Sequence, residues 1–236
     1  MKREYRYCPS IIKIVLAVVL IFLTDCEKDF FTPSEPVTDI DGNIYTSVKI
    51  GAQTWMGENL KTTKYKNGIS IPNVKDGSQW LVLKTGAFCY YENSLSNKSI
   101  YGALYNWYAV STGNLCPAGW HVPSATEWKT LEEFLGGSYD AGGRLKEKGT
   151  SHWDKPNYGG INSSGFSALP AGIISTGWWS DFIEFVGINY STDFWTSTEA
   201  DSQTAIERNL TSDDHVLGSG NIDKYSGISV RCIKDN

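Results

Sequence analysis

Side chains able to do chemistry fall into four groups along this sequence. The first is aromatic: Trp178 and Trp179 are adjacent, and Phe182 and Tyr190 follow in the same segment, residues 173–193. Neighbouring residues on a strand point to opposite faces, so a simple sheet buries at most one of the two indoles. The other is then available to stack on the apolar face of a pyranose or on a peptide. The alternative is a segment that folds back and buries both. The second group is acidic. Asp213 and Asp214 precede His215, with Gly218, Gly220 and Asp223 downstream. An oxygen-rich loop of this kind can offer Ca2+ the six to eight ligands it takes, but the D-x-D-x-D-G spacing is missing, and a solvated turn is the competing reading.

The third group is Glu58, Glu127 and Glu199, in which a carboxylate pair for glycoside hydrolysis can be imagined. Glu127, however, lies three residues after Ser124, where a capping box accounts for it. The fourth comprises the thiols and imidazoles. No C-x-x-C or Cys/His cluster has zinc-ligand spacing, and the chain has three histidines in all. His121 and His152 each adjoin a tryptophan and read as hydrogen-bonded structural residues. No G-x-S-x-G, phosphate-binding lysine loop or dinucleotide glycine fingerprint occurs. These groups offer a binding surface rather than a catalytic constellation, and they imply no cofactor.

The best-signalled element is the stretch from Cys116 to Trp128. Pro117 and Gly119 mark a turn, and Trp120 and Val122 alternate around His121 as a short strand does. Ser124 is an N-cap with Glu127 as its capping-box partner. Trp128, Leu131, Phe134 and Leu135 then repeat on one helix face, and Gly136-Gly137 end the helix. Asp41-Gly42 signals a hairpin turn, with Tyr45, Val48 and Ile50 on a strand that runs to Gly51. Residues 86–92 are a short β candidate, and 101–110 read as the start of a helix. Residues 141–146 and 165–172 are short, glycine-bounded pieces. The segment 173–193 has little periodicity, and 194–199 and 227–233 close the chain as strands. Few helices, many short strands and long loops predict one irregular α+β domain. With 41% apolar and 13% aromatic residues the chain supports one sizeable core, and most tryptophans belong in it.

The first 25 residues differ in composition. Lys2, Arg3, Arg6 and Lys13 precede a ten-residue apolar run, Ile14 to Leu23, which fits an export signal and is too short to span a bilayer. Leu23-Thr-Asp-Cys26 resembles a bacterial lipobox, with Asp25 where Gly, Ala or Ser is usual. Residues 1–25 thus read as a lipoprotein signal peptide, with Cys26 lipidated. Residues 26–38, with Pro33 and Pro36, read as a tether, and 39–236 as the domain. The signal carries four basic and two acidic residues, so the remainder has 17 Lys and Arg against 24 Asp and Glu, net −7. That lacks the basic stripe a nucleic-acid partner needs. The membrane is met through the N-terminal lipid. Cys89, Cys116 and Cys232 remain for an oxidising compartment, where a structural disulfide is expected.

Seven motifs stand in one order: Asp41-Gly-Asn-Ile-Tyr45, Ile50 to Leu60, Tyr101-Gly-Ala-Leu-Tyr-Asn-Trp107, Cys116 to Ser124 with Glu127-Trp128, Gly165 to Gly172, Phe194-Trp-Thr-Ser-Thr-Glu199 and Ser229-Val-Arg-Cys232. Together they resemble the Fibrobacter succinogenes major paralogous domain over about residues 37–234. That resemblance implies an exported protein, often a lipoprotein, and carries no assigned activity. Its pattern is in turn distantly similar to the formylglycine-generating-enzyme and C-type-lectin-like folds. In those folds a helix entry such as Val122-Pro123 to Trp128 is followed much later by a core strand such as Val230 to Ile233. The enzyme's paired cysteines find no match around Cys232, and the calcium signatures of the lectins are absent. Family members often pair a cysteine placed like Cys89 with one just before the Tyr-Gly-x-Leu-Tyr segment, but residues 93–99 hold none. The resemblance therefore implies a Cys116–Cys232 disulfide.

Two functions from different classes follow. The first is a non-enzymatic lipoprotein of the cell envelope, in the outer membrane. It binds a glycan or protein through variable aromatic loops, with Trp178, Trp179, Phe182 and Tyr190 as contacts. Glu27-Lys28-Asp29 is weakly similar to acidic signals for export to the cell surface. The second is an enzyme of formylglycine-enzyme-like fold, which requires an accessible, thiolate-prone Cys89 or a bound metal.

Overall fold

The turn at Asp41-Gly42 sets the first sheet. In the computed structural model, which describes residues 31–176 and 183–236, the Asp39 carboxylate accepts from the main-chain N–H of Asp41 and Asn43. It also accepts from the Tyr45 hydroxyl at 2.6 Å. This Asx-type wiring, with Gly42 at φ +83°, joins β1 (Phe31–Thr38) to β2 (Ile44–Ile50) in an antiparallel pair. Residues 31–38 are therefore an edge strand of the domain and not part of a tether, so the domain begins earlier than its composition suggests. Pro33 and Pro36 are tolerated there because an edge strand has one side without ladder bonds.

β3 (Gln53–Met56) follows across Gly51, and the sheet is completed from elsewhere in the chain in the order β1-β2-β3-β13-β6. β6 is Trp120–His121, and β13 (Ile233–Lys234) lies between it and β3, with Ile233 opposite both Trp55 and His121. The Cys116–Cys232 disulfide crosses just before these two strands, with the Cα atoms 6.1 Å apart. This is the pairing that the resemblance implied.

The helices are α1 (Gly77–Trp80), α2 (Leu95–Tyr101), α3 (Trp107–Val110), α4 (Ala125–Phe134) and α5 (Ser138–Leu145). None among the described residues is long and apolar enough to cross a membrane. α4 starts with the expected reciprocal capping box between Ser124 and Glu127 and buries Trp128 and Leu131. Its Glu132 is buried as well, paired with Arg208 and, at 2.7 Å, with Lys129. α5, read from sequence only as a glycine-bounded piece, is a full helix. Two glycines inside it conceal its propensity, and their reason is tertiary: a Cβ on Gly142 would meet the main chain of His215 and Val216 at 2.5 Å. One on Gly143 would meet the Gly159 carbonyl at 2.3 Å.

The second sheet runs β11-β10-β9-β12-β5-β4. Here β9 is Ser191–Glu199, β10 Thr204–Thr211 and β11 Gly218–Asp223. β12 is Ile228–Ser229, β5 Leu104–Tyr105 and β4 Phe88–Cys89. The residues expected to begin a helix at 101 instead pair as β5 before the single turn of α3, which Asn106 caps. β7 (Ala171–Thr176) runs parallel to β9 and antiparallel to β8 (Ile183–Ile188). This is the segment without readable periodicity. β8 alternates half-buried with exposed residues over four positions and buries none fully, so its two faces differ little in sequence.

All seven tryptophans of the described residues are buried. Trp55 and Trp128 lie 4.8 Å apart, and Trp128 touches Phe194 at 5.5 Å and Phe166 at 5.7 Å, centroid to centroid. Each such ring pair adds about 1 kcal/mol to the burial term.

Candidate functional site

Lys146, the residue after α5, is fully buried. Its ammonium has three N–H groups and three acceptors, all main-chain: the carbonyls of Tyr158 at 2.9 Å, Thr211 at 2.8 Å and Asp214 at 2.6 Å. The ammonium also faces the Trp153 ring at 5.3 Å. Burial brings its pKa down to about 8, against the pull of Asp214 and Asp213, so it remains a cation at neutral pH. One side chain thus ties the loop at 154–160 and the β10–β11 loop to the end of α5. Gly142 and Gly143 let both loops lie directly on the helix, where Gly143 N–H donates to the His215 carbonyl.

A third loop joins them. The β8–β9 turn places Asn189 and Tyr190 so that the Asn189 carbonyl accepts from Asp154 N–H and the Tyr190 carbonyl from Ser212 N–H. The Tyr101 hydroxyl donates to the Asn189 side chain at 2.9 Å.

Two aromatic rings stand on this three-loop surface. Tyr158 is 54% exposed and stacks on His215 at 5.2 Å with the planes 26° apart. Tyr190 is 42% exposed, and its hydroxyl donates to Asp213 Oδ2 at 3.0 Å. The other Asp213 oxygen accepts from Thr211 Oγ1 at 2.7 Å. These bonds hold the Asp213 carboxyl below its ordinary pKa and push the Tyr190 phenol above its own. The surface therefore presents two oriented rings beside an ionised carboxylate. Rings and carboxylates in this arrangement can stack on a sugar or peptide and accept hydrogen bonds from its hydroxyl or amide groups.

Of the residues singled out from sequence, the structure brings Tyr190, Asp213 and Asp214 together. Trp178, Trp179 and Phe182 lie outside the described residues, as does Cys26. Asp223 is not near the other two aspartates. It pairs with Thr204 at one end of β10, whereas Asp213 and Asp214 follow Thr211 at the other, about 23 Å away at 3.3 Å per residue. Asp214 caps its own turn by accepting from Val216 N–H at 2.9 Å, and no group of three or more His, Cys, Asp or Glu side chains among the described residues could hold a metal. Asp213 and Asp214 thus share a turn that lies apart from Asp223.

Glu127 caps α4 and receives His121 Nε2 at 2.8 Å. Glu199 pairs with Lys224, and Glu58 with Lys61 at 3.3 Å. His152 contacts Glu147 at 2.9 Å. Cys89 is fully buried, and burial pushes its thiol well above the ordinary range. Lys146 and Tyr158 were not read from the sequence. Nothing local marks a lysine that will be buried against three carbonyls, but Pro156-Asn-Tyr-Gly-Gly160 is a turn signal that offers a ring at its tip.

Fold and site define a class: an irregular, sheet-rich α+β domain that displays a platform built from loops. Residues 48–234 match the sequence profile of the Fibrobacter succinogenes major domain, and the chain belongs to that family. Comparison with curated proteins and comparison with solved structures each return no match.

Proposed function

We propose that this protein is a non-enzymatic binding module whose ligand, a glycan, is taken by the Tyr158–Tyr190 platform. One observation carries the reading. Two exposed rings on separate loops are each fixed by a side-chain partner, His215 or Asp213, and Lys146 fixes the loop of Tyr158 and the β10–β11 loop that supplies both partners. A rigid ring loses little entropy on stacking, which favours a binding role. The segment 177–182, with Trp178 and Trp179, follows β7 and would add indoles to the same function.

The wider setting follows from the sequence: export, lipidation at Cys26 and attachment to the outer membrane, with the domain at the cell surface. Only residues 27–30 then separate the lipidated Cys26 from Phe31, a reach of at most about 18 Å, so the domain sits close to the membrane. A C-type-lectin-like or formylglycine-enzyme-like fold is supported by the Val122-Pro123 entry into α4 and by the C-terminal strand inside the first sheet. Thiol chemistry at Cys89 would need an exposed thiolate, and a fully buried thiol argues against it.

The test is a glycan array with the purified chain from residue 27, beside Tyr158→Ala/Tyr190→Ala and Trp178→Ala/Trp179→Ala. Selective binding lost in the tyrosine variant, with its melting temperature kept, is the expected result. A folded wild type that binds no glycan would end the glycan reading and turn the search to protein partners.

A further inference from the structure

A cleft lies beside the end of α5, lined in part by Glu147. Its floor is Arg231, only 1% exposed. A guanidinium has five N–H groups, and four are accounted for. Nε and Nη2 donate to Asn59 Oδ1 at 3.1 and 2.8 Å, and Nη1 donates to the carbonyls of Met56 and Phe166. Every one of these acceptors is neutral. The guanidinium carbon is 4.3 Å from the centre of the Phe166 ring, and burial brings the Arg231 pKa down to about 9 against the pull of Glu58. A buried charge is costly unless an opposite charge meets it, and none of the partners of Arg231 supplies one.

The fifth N–H is on Nη2, and Arg231 lines a cleft of about 180 Å3 together with Glu58, Asn59, Lys61, Gly102, Glu147 and Ser167. That volume equals about six waters at roughly 30 Å3 each, which suits one small polyatomic group. Two more donors stand on its rim. Lys61 Nζ is 3.3 Å from Glu58 and 5.1 Å from the centre of the Tyr45 ring. Ser167 Oγ accepts from Asn162 Nδ2 at 2.8 Å, which leaves its hydroxyl hydrogen to give. The Ser167 backbone is held at φ +54°, a left-handed conformation unusual for serine, by its N–H donation to Asn162 Oδ1. Glu58 and Glu147 are the opposing charges in the cleft. The oxygens of Glu58 are already engaged by Lys61 and by Thr46 N–H at 3.2 Å, and Glu147 is 2.9 Å from His152.

We propose that this cleft binds a small oxyanion, a carboxylate, phosphate or sulfate group. Arg231 Nη2 is the buried donor, and Lys61 and Ser167 are the donors at the rim. The site is independent of the tyrosine platform and of whatever binds there.

The full chain, purified in a non-ionic detergent, is titrated calorimetrically at pH 7 with acetate, phosphate and sulfate. Chloride at matched ionic strength is the control. Saturable binding of at least one oxyanion and none of chloride is expected, and the three arms identify which group fits. Arg231→Lys risks the fold, so two rim variants carry the test, each checked for an unchanged circular dichroism spectrum. Lys61→Gln should weaken the binding by about fivefold or more. Glu58→Gln, which removes one of the two repelling charges, should tighten it severalfold. Equal responses to all four salts would overturn the proposal. So would oxyanion binding that neither variant alters, because the anion would then sit elsewhere.

Discussion

Tyr190 and Asp213 are 23 residues apart and joined by a single 3.0 Å hydrogen bond, which links the β8–β9 turn to the β10–β11 loop. The bond fixes the orientation of an exposed ring and is also the main reason that its phenol titrates above the ordinary tyrosine range. Asp213→Asn should therefore lower the Tyr190 pKa in an ultraviolet or NMR titration while the chain stays folded. Tyr190→Phe, which keeps the ring and loses the bond, should weaken ligand binding less than Tyr190→Ala. Equal losses in the two variants would mean that the bond, and not the ring, matters to the ligand.

Lys146 is the support beneath that surface. Lys146→Met keeps most of the side-chain volume and leaves three carbonyls without their donor. Unsatisfied buried acceptors cost about 1–3 kcal/mol each, less where water can enter. A total of roughly 3 kcal/mol is expected from the shift in denaturant midpoint. Amide exchange should rise in residues 154–160 and 211–217 first, with α4 little changed. Uniform faster exchange would show that Lys146 supports the whole domain rather than these loops.

Local chemistry made part of this legible. Ser124 and Glu127, Asp41-Gly42 and the helix face of Trp128 and Leu131 are signals complete within a few residues, and the structure follows them. α5 was hidden because Gly142 and Gly143 answer to loops more than 15 residues away. β1 was hidden because its polar, proline-bearing sequence suits an edge strand as well as it suits a linker. The candidate site was half legible. Tyr190 and Asp213 announced themselves as ring and carboxylate, but their meeting, and the role of Lys146, depend on three segments brought together only by the fold.

The disulfide closes a long covalent loop. Cys116 and Cys232 are 116 residues apart, and in the chain-entropy model a loop of that length stabilises by roughly 4–5 kcal/mol. Cys116→Ala/Cys232→Ala should lower the unfolding free energy by about that amount in a denaturant titration. Both sulfurs are buried, so dithiothreitol should leave the bond intact in native buffer and reduce it only near the unfolding midpoint. Ready reduction of the folded protein would contradict the burial.

The same junction carries a pH dependence. His121 lies between Asp235, 2.6 Å from Nδ1, and Glu127, 2.8 Å from Nε2. Partial burial lowers the His121 pKa, but the two carboxylates outweigh it and the net shift is upward. The protonated imidazole therefore stabilises the folded chain fully below its unfolded pKa of about 6.5, and that contribution is lost as pH rises through the higher folded value. Glu127 shifts the other way. Burial raises its pKa, but its bonds to Ser124 and His121 bring it below the ordinary carboxylate range. Its contribution is present above that range and is lost in acid. Stability from this junction should thus peak at about pH 5–6 and decline towards pH 8. All three groups are partly exposed, so screening keeps the effect below about 1 kcal/mol. Melting curves from pH 5 to 8 should show the decline in wild type, a smaller one in 1 M NaCl and none in His121→Gln. A decline that persists in His121→Gln would assign it to another group.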